Sequence, residues 1–349
     1  MSKDFKSNLV IRLKGASHKK VMQIIVDGFP KDVEVSHDAI KEAIIRRMPN
    51  IDLSNARCEL DEYKIISGVD NNITNGKKLV IEVKNNNFNS KNYQKGVVRP
   101  GHVDYPAYVK YGLNFDYRGG GEFSGRLTIL YVILGEMANA ALNKYGVKIA
   151  SHLYQIGKVL DNPIDYKNVD LDHLSTNKDA LKLMQEEIIK AKNEGDSIGG
   201  TIEVLASGVR IGLGDKYFGG LESKIASLMF SVPGVKSVSF GKEMDLSKEF
   251  GSSYNDQMQY LDGKVELLSN NAGGINGGLA NGENIVVRVK FRPTSSISKS
   301  QKSIDILNKE NINLQISGNH DACFAYRCDV ICEAMLAISL LDSYLEEGK

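Results

Sequence analysis

Glycine is the residue that most restricts how this chain can fold. There are 33 glycines against 7 prolines, and many gather in short runs such as Gly119-Gly120-Gly121, Gly199-Gly200, Gly273-Gly274 and Gly277-Gly278. A residue without a Cβ allows left-handed backbone and close approach of backbone to backbone or ligand, at an entropic cost on folding. Clustered glycine therefore marks built loops between ordered elements rather than general flexibility. Six segments carry these loops or similar Pro/Ser/Arg punctuation: 99–104, 118–126, 195–200, 270–278, 292–296 and 318–321. None is a Walker loop or a dinucleotide fingerprint. Gly runs beside Ser, Thr and Arg suit a phosphate cradle, because backbone N–H groups reach the anion unhindered and arginine adds bidentate donors.

Between these loops the apolar pattern alternates between strand and helix periods. Strands are predicted at 8–12, 22–27, 59–69, 78–83, 200–206, 235–240 and 285–291. Ser36-His37-Asp38 is placed to cap a helix that runs to Arg47 and stops at Pro49. Further helices are predicted at 127–145, 179–194, 221–230 and 332–345. Residues 84–94 read as a polar loop able to order over a site. No repeat and no Pro/Ser linker divides the chain, so one mixed α/β (α+β) domain over 1–349 is expected.

Bulk figures exclude several classes. Lys+Arg at 44 against Asp+Glu at 43 leaves a net charge of +1, unlike the basic surface of a general nucleic-acid binder. The apolar stretch at 127–134 is too short to span a bilayer, and the N-terminus has no secretory pattern. A cytoplasmic protein without membrane or nucleic-acid partners is expected. Cys58, Cys323, Cys328 and Cys332 lack metal spacing and read as reduced thiols. His37, His152 and His173 read as surface or capping residues, and Arg46, Arg47 and Lys41 alone read as the solvated face of a helix.

Taken together, the order and wording of the segments resemble chorismate synthase from about Gly15 to Leu341. The clearest stretch is Arg99 to Arg126, with Tyr105, Lys110-Tyr111-Gly112 and Arg118-Gly119-Gly120-Gly121 inside it. Ser67-Gly68-Val69, 195–200, 270–278, 293–297 and His320-Asp321, with Arg327, Glu333 and Met335, add to it. The resemblance implies a β-α-β sandwich, a homotetramer and the last step of the shikimate pathway. That step converts 5-enolpyruvylshikimate 3-phosphate to chorismate by 1,4-anti elimination of phosphate, with reduced FMN. It also implies His18 beside the departing phosphate, His102 near the flavin and Asp321 acting on flavin N5. By the same resemblance Ser124, Gly277, Arg292, Pro293, Thr294, Ser295, Ser296 and Asn319 bind flavin. Ser17, Arg47, Arg126 and Arg327 bind substrate.

The chain departs from the family pattern at Ala16, Lys19, Met48, Asn50, Leu53, Glu122, Phe123, Arg292, Asn319 and Ala322. Two flavin-side arginines are replaced. A second reading therefore stands beside the first: a diverged member that binds flavin or a phosphorylated ligand with weak or no turnover.

Overall fold

Met22, Ile24 and Val26 alternate with more polar neighbours, as do Leu79, Ile81 and Val83. The computed structural model, which describes residues 3–6, 8–48, 53, 61–85, 93–162, 175–316 and 321–347, buries both sets on one face of a sheet. Its strands are β1 (Lys3–Lys6), β2 (Val10–Lys14), β3 (Val21–Asp27), β4 (Tyr63–Ser67) and β5 (Leu79–Lys84). They are antiparallel, in the order β1-β2-β3-β5-β4. Pairing Ile24 with Ile81 keeps the apolar residues of both strands on the same side.

A second antiparallel sheet is built from β6 (Lys148–Ile156), β7 (Val159–Leu160), β8 (Gly200–Ser207), β9 (Val235–Phe240) and β10 (Ile285–Phe291). Its order is β9-β10-β8-β6-β7. Helices α1 (His37–Arg46), α2 (Asp104–Tyr111), α3 (Thr128–Leu142), α4 (Lys178–Asn193), α5 (Leu221–Met229) and α6 (Asp329–Glu347) complete the frame.

α3 is apolar around most of its circumference, with Ile129, Leu130, Ile133 and Leu134 fully buried. A helix of that kind needs partners on several sides. It contacts β3 and β5 of the first sheet, β6 of the second, and α6 along its length. α6 in turn lies on β6 and β8. The layers are sheet, helices, sheet, which is the β-α-β arrangement expected. Gly135 of α3 faces Ala334 of α6, and a Cβ at 135 would overlap that alanine. The two helices therefore approach as closely as their backbones permit. Among the described residues, no helix is long and apolar enough to cross a membrane.

Several expectations change in detail. Of the strand predicted at 59–69, residues 59 and 60 lie outside the described residues, and β4 ends at Ser67, which still pairs with Val80 beyond a bulge after Ile65. Val69–Asp70 instead forms a small hairpin with Ile73–Thr74. The helix predicted at 127–145 is α3 flanked by single 3₁₀ turns, closed by Gly146 at φ +77°. Strand β6, helix α2 and the polar hairpin Gln301–Asp305 with Glu310–Leu314 carry no strong periodic signal and were not predicted.

The largest correction concerns His152. It is fully buried, with Nδ1 2.8 Å from Asp161 Oδ2 and Nε2 3.0 Å from Glu203 Oε1. His152, Glu203 and Arg288 stand opposite one another on adjacent strands, so one row across the second sheet is ionic. Arg288 pairs with Glu203 and lies over the Tyr154 ring at 4.7 Å. Burial pulls the His152 imidazole down, but its two carboxylate partners outweigh this and raise its pKa. His37 is exposed at the start of α1, where it meets the Tyr63 hydroxyl at 2.6 Å and Asn72 Oδ1 at 3.2 Å. Cys323, Cys328 and Cys332 are free, buried thiols. Cys58, His173 and residues 86–92 of the predicted loop lie outside the described residues.

Candidate active site

Three arginines converge from distant parts of the chain. Arg47, at the end of α1, is only 5% exposed. Its Nε donates to Thr128 Oγ1 at 3.0 Å, and one Nη donates to the Gly125 carbonyl at 3.0 Å. Among the described residues, no carboxylate accepts from it. Burial and repulsion from Arg327 and Arg126 push its pKa down to about 9. That repulsion shows the three guanidiniums to be close neighbours. Reading Arg47 and Arg46 as a solvated face was therefore wrong: Arg46 bridges Glu333 at 2.8 Å and Asp329 at 2.9 Å on α6.

The other two arginines have partners. Arg126 points Nη1 at Asp61 Oδ2, 2.6 Å away, and Nη2 at Oδ1, a bidentate fork. Its Nε reaches Asn85 Oδ1 at 3.3 Å. Arg327 pairs with Asp321 and lies 5.1 Å over the Phe324 ring. Its Nε is buried without a hydrogen-bond partner among the described residues, a costly state in the absence of a ligand acceptor.

Two histidines flank a glycine ridge. His18 is 9% exposed, with Nδ1 3.1 Å from Ser17 Oγ. Because Ser17 Oγ donates to the Arg118 carbonyl at 2.9 Å, the proton of the Ser17–His18 contact belongs to His18 Nδ1. His102 Nδ1 lies 2.7 Å from Asp104 Oδ1. Asp104 is 1% exposed, and Arg99 binds both its oxygens at 2.7 and 2.8 Å. Burial alone would raise the Asp104 carboxyl, but the hydrogen bonds from Arg99 and His102 hold it well below the usual range. Burial also lowers the His102 pKa, and the nearby Arg99 and Arg292 charges push the same way. The ring is therefore neutral at pH 7. Its proton sits on Nδ1 toward Asp104, and its lone pair on Nε2.

Gly119 and Gly120 run between these two rings with φ of +53° and +81°. A Cβ at Gly119 would lie 2.7 Å from His18 Cε1, and one at Gly120 would lie 3.5 Å from His102 Nε2. Only glycine combines this backbone with both histidines at that spacing. Ser124 caps the next turn by accepting from the Arg126 N–H at 3.3 Å.

The 292–296 segment closes the far side. Thr294 Oγ1 donates to the Asp321 carbonyl, and Ser197 Oγ donates to the Thr294 carbonyl, both at 2.7 Å. Arg292 donates to the Pro293 carbonyl at 3.0 Å. The Ser295 Cβ is 3.7 Å from where a Cβ at Gly101 would stand, and Ser296 follows, half-buried.

Thus His18, Ser17, Arg47, His102, Ser124, Arg126, the 292–296 segment, Asp321 and Arg327 gather at one place. Gly277 does not join them through any contact described: it tips the Ile275–Asn276/Leu279–Ala280 hairpin with open space around it. Asn319 lies outside the described residues. Sequence reasoning assigned no role to Asp61, Asn85, Arg99 or Asp104. Only Arg99 and Asp104 carried a signal, their place inside the clearest motif. A cavity of about 740 Å³ opens beside Asp61, lined also by Lys41, Tyr63, Lys64 and Lys84.

Known proteins resemble this chain over nearly its whole length. A family model described as chorismate synthase matches residues 9–345. The chorismate synthase of Thermococcus gammatolerans is 37% identical over 97% of this chain and 96% of its own length. That of Korarchaeum cryptofilum is 36% identical over 94% and 93%, and that of Phocaeicola vulgatus 37% identical over 95% and 94%. A crystal structure of chorismate synthase superposes with a TM-score of 0.75 at 26% identity, covering 97% of this chain and 92% of that one. With its sequence, layers and segment order all matched, the chain belongs to the chorismate synthase family.

Proposed function

We infer that this chain releases phosphate from 5-enolpyruvylshikimate 3-phosphate by 1,4-anti elimination, yielding chorismate, with reduced FMN bound. The observation that carries the reading is the arginine cluster, in which three guanidiniums meet only two carboxylates, beside two histidines on a glycine ridge. Such a surplus of buried positive charge is a site for a polyanion. Arg47, Arg126, Arg327 and Ser17 bind the substrate's phosphate and carboxylates. His18 holds a proton for the departing phosphate, and His102 presents Nε2 as a proton acceptor.

A flavin fits the residues present. The glycine ridge leaves room that a Cβ would fill, and the buried Arg327 Nε lacks an acceptor. Ser124 and residues 292–296 would hold it, with Asp321 and His102 toward its ring. When bound, reduced FMN supplies electron density that eases departure of the phosphate. The chain's own contribution is to clamp the anionic groups, exclude water and fix the two imidazoles through Ser17 and Asp104.

The test is an anaerobic assay with FMN kept reduced, following phosphate release and chorismate absorbance. Turnover is expected, with loss of activity but retained folding in His102→Ala. Flavin binding without turnover would instead support the diverged-binder reading.

A cytoplasmic homotetramer, built from single-domain subunits, belongs to the same proposal. Phe218 is 98% exposed, and Tyr217, Phe250 and Tyr260 are nearly as open. Apolar exposure on this scale supports burial by further copies. Sedimentation is expected to report an oligomer that Phe218→Ser weakens.

A further inference from the structure

Asp61 and Asp104 are both aspartates paired with an arginine beside the site, yet they are held differently. Asp104 is locked by the Arg99 backbone N–H, the Arg99 guanidinium and His102. Asp61 has a side chain 16% exposed, and among the described residues its hydrogen bonds go to Arg126 alone. It also borders the cavity of about 740 Å³, into which it has room to turn, whose walls mix Lys41, Lys64 and Lys84 with Asp38 and Glu62.

Arg126 is held independently of it. Asn85, only 3% exposed, accepts from Arg126 Nε and is anchored through its amide to the Ser17 carbonyl at 2.7 Å and the Lys19 carbonyl at 3.0 Å. With its side edge on Asn85 and its end-on fork on Asp61, Arg126 has no bidentate face to offer a ligand. The Asp61 carboxylate has the shape and charge of the group that the fork is proposed to recognise. It also eases the repulsion that Arg47 feels.

We infer that Asp61 is a displaceable internal counter-ion. It fills the Arg126 fork while no ligand is bound, and it turns toward the polar cavity it borders when an anionic group of the ligand takes its place. The inference rests on the proposed function in treating Arg126 as an anion-binding residue. It adds a specificity rule: a ligand must outcompete a carboxylate already in place, which favours polyanions over single weak anions.

The experiment is titration of wild type and Asp61→Asn with inorganic phosphate, with thermal unfolding as the check on folding. The variant is expected to bind phosphate about tenfold more tightly at an unchanged melting temperature, and its KM for the enolpyruvyl substrate is expected to fall. Unchanged or weaker phosphate binding by the folded variant overturns the inference, as does phosphate binding to neither form. Should the variant not fold, a crystal structure of the unaltered protein with phosphate bound decides. Arg126 and Asp61 more than 4 Å apart supports the exchange, and an intact pair refutes it. Failure of the wild type to turn over its substrate would count against the functional reading alone, because the phosphate arm needs no turnover.

Discussion

Two of the ionic clusters among the described residues, one beside the first sheet and one across the second, are built on opposite plans. Across the second sheet, His152 and Arg288 face Asp161 and Glu203, so opposite charges are equal when the imidazole is protonated. Asp161 also accepts from the backbone of Thr176 and Asn177 and from Ser175 Oγ, tying the start of α4 to the sheet. Beside the first sheet, among the described residues, Arg47, Arg126 and Arg327 meet two carboxylates, Asp61 and Asp321. The balanced cluster is complete within the fold. The unbalanced one leaves Arg47 without a carboxylate partner among the described residues, as the proposed anion site requires. Charge balance, rather than burial or the presence of arginine, separates the structural network from the ligand site.

The largest expected effect breaks the balanced cluster. Glu203→Ala leaves Arg288 and His152 without their shared carboxylate, and it is expected to cost about 3–5 kcal/mol of stability, read by denaturant unfolding. Ligand affinity of the folded fraction is expected to stay as in the wild type. The matching change on the other side has the opposite signature. Arg47→Met is expected to weaken substrate binding by about ten- to a hundredfold, equivalent to roughly 1.5–3 kcal/mol. Its melting temperature is expected to hold or rise, because a buried unpaired guanidinium has been removed. A fall in melting temperature with intact affinity would contradict the assignment.

The pH dependence sharpens the contrast further, since His152 and His102 shift in opposite directions. His152 is raised above the ordinary 6.5. Its stabilising contribution is fully present below that value and is lost as pH rises through the higher folded value. His102 is lowered, so the unfolded chain takes up the proton first. Its contribution is present above 6.5 and is lost as pH falls toward the folded value. Unfolding free energy measured across this range is expected to lose its alkaline decline in His152→Gln and to weaken its acidic decline in His102→Gln. The smallest effect is expected for Thr128→Val, which removes the acceptor of Arg47 Nε and the Thr128 hydroxyl's own bond to the Gly125 carbonyl. A loss of about 1 kcal/mol, roughly fivefold in KM, with a small change in kcat would mark Thr128 as support for Arg47.

How far the sequence alone reveals these features depends on whether the governing interaction is local. The motif at 99–126 carries His102, Gly119–Gly121, Ser124 and Arg126 in one stretch, so their shared place was readable before any coordinates. β6 was not, because its Ser151, His152 and Gln155 break the apolar alternation that marks a strand. Those polar side chains are tolerated inside because Glu333, Asp161 and Glu203 arrive from other elements to meet them. Asp61 and Asn85 are equally silent: a carboxylate near a strand start and an asparagine after a strand look like ordinary surface polarity. Their meaning lies in Arg126, at a sequence distance that no periodicity spans.

The contact between Gly135 and Ala334 has a reach beyond the core. α3 begins at Thr128, which supports Arg47, and Arg327 lies just ahead of α6. The two helices leave the proposed ligand site side by side and pack along their length, most closely where Gly135 faces Ala334. They act as the arms of a caliper whose setting is fixed by the missing methyl group at 135. Gly135→Ala is expected to push the arms apart and so to weaken anion binding between Arg47 and Arg327, read by phosphate titration. A residue that touches no ligand thereby sets the width of the anion site.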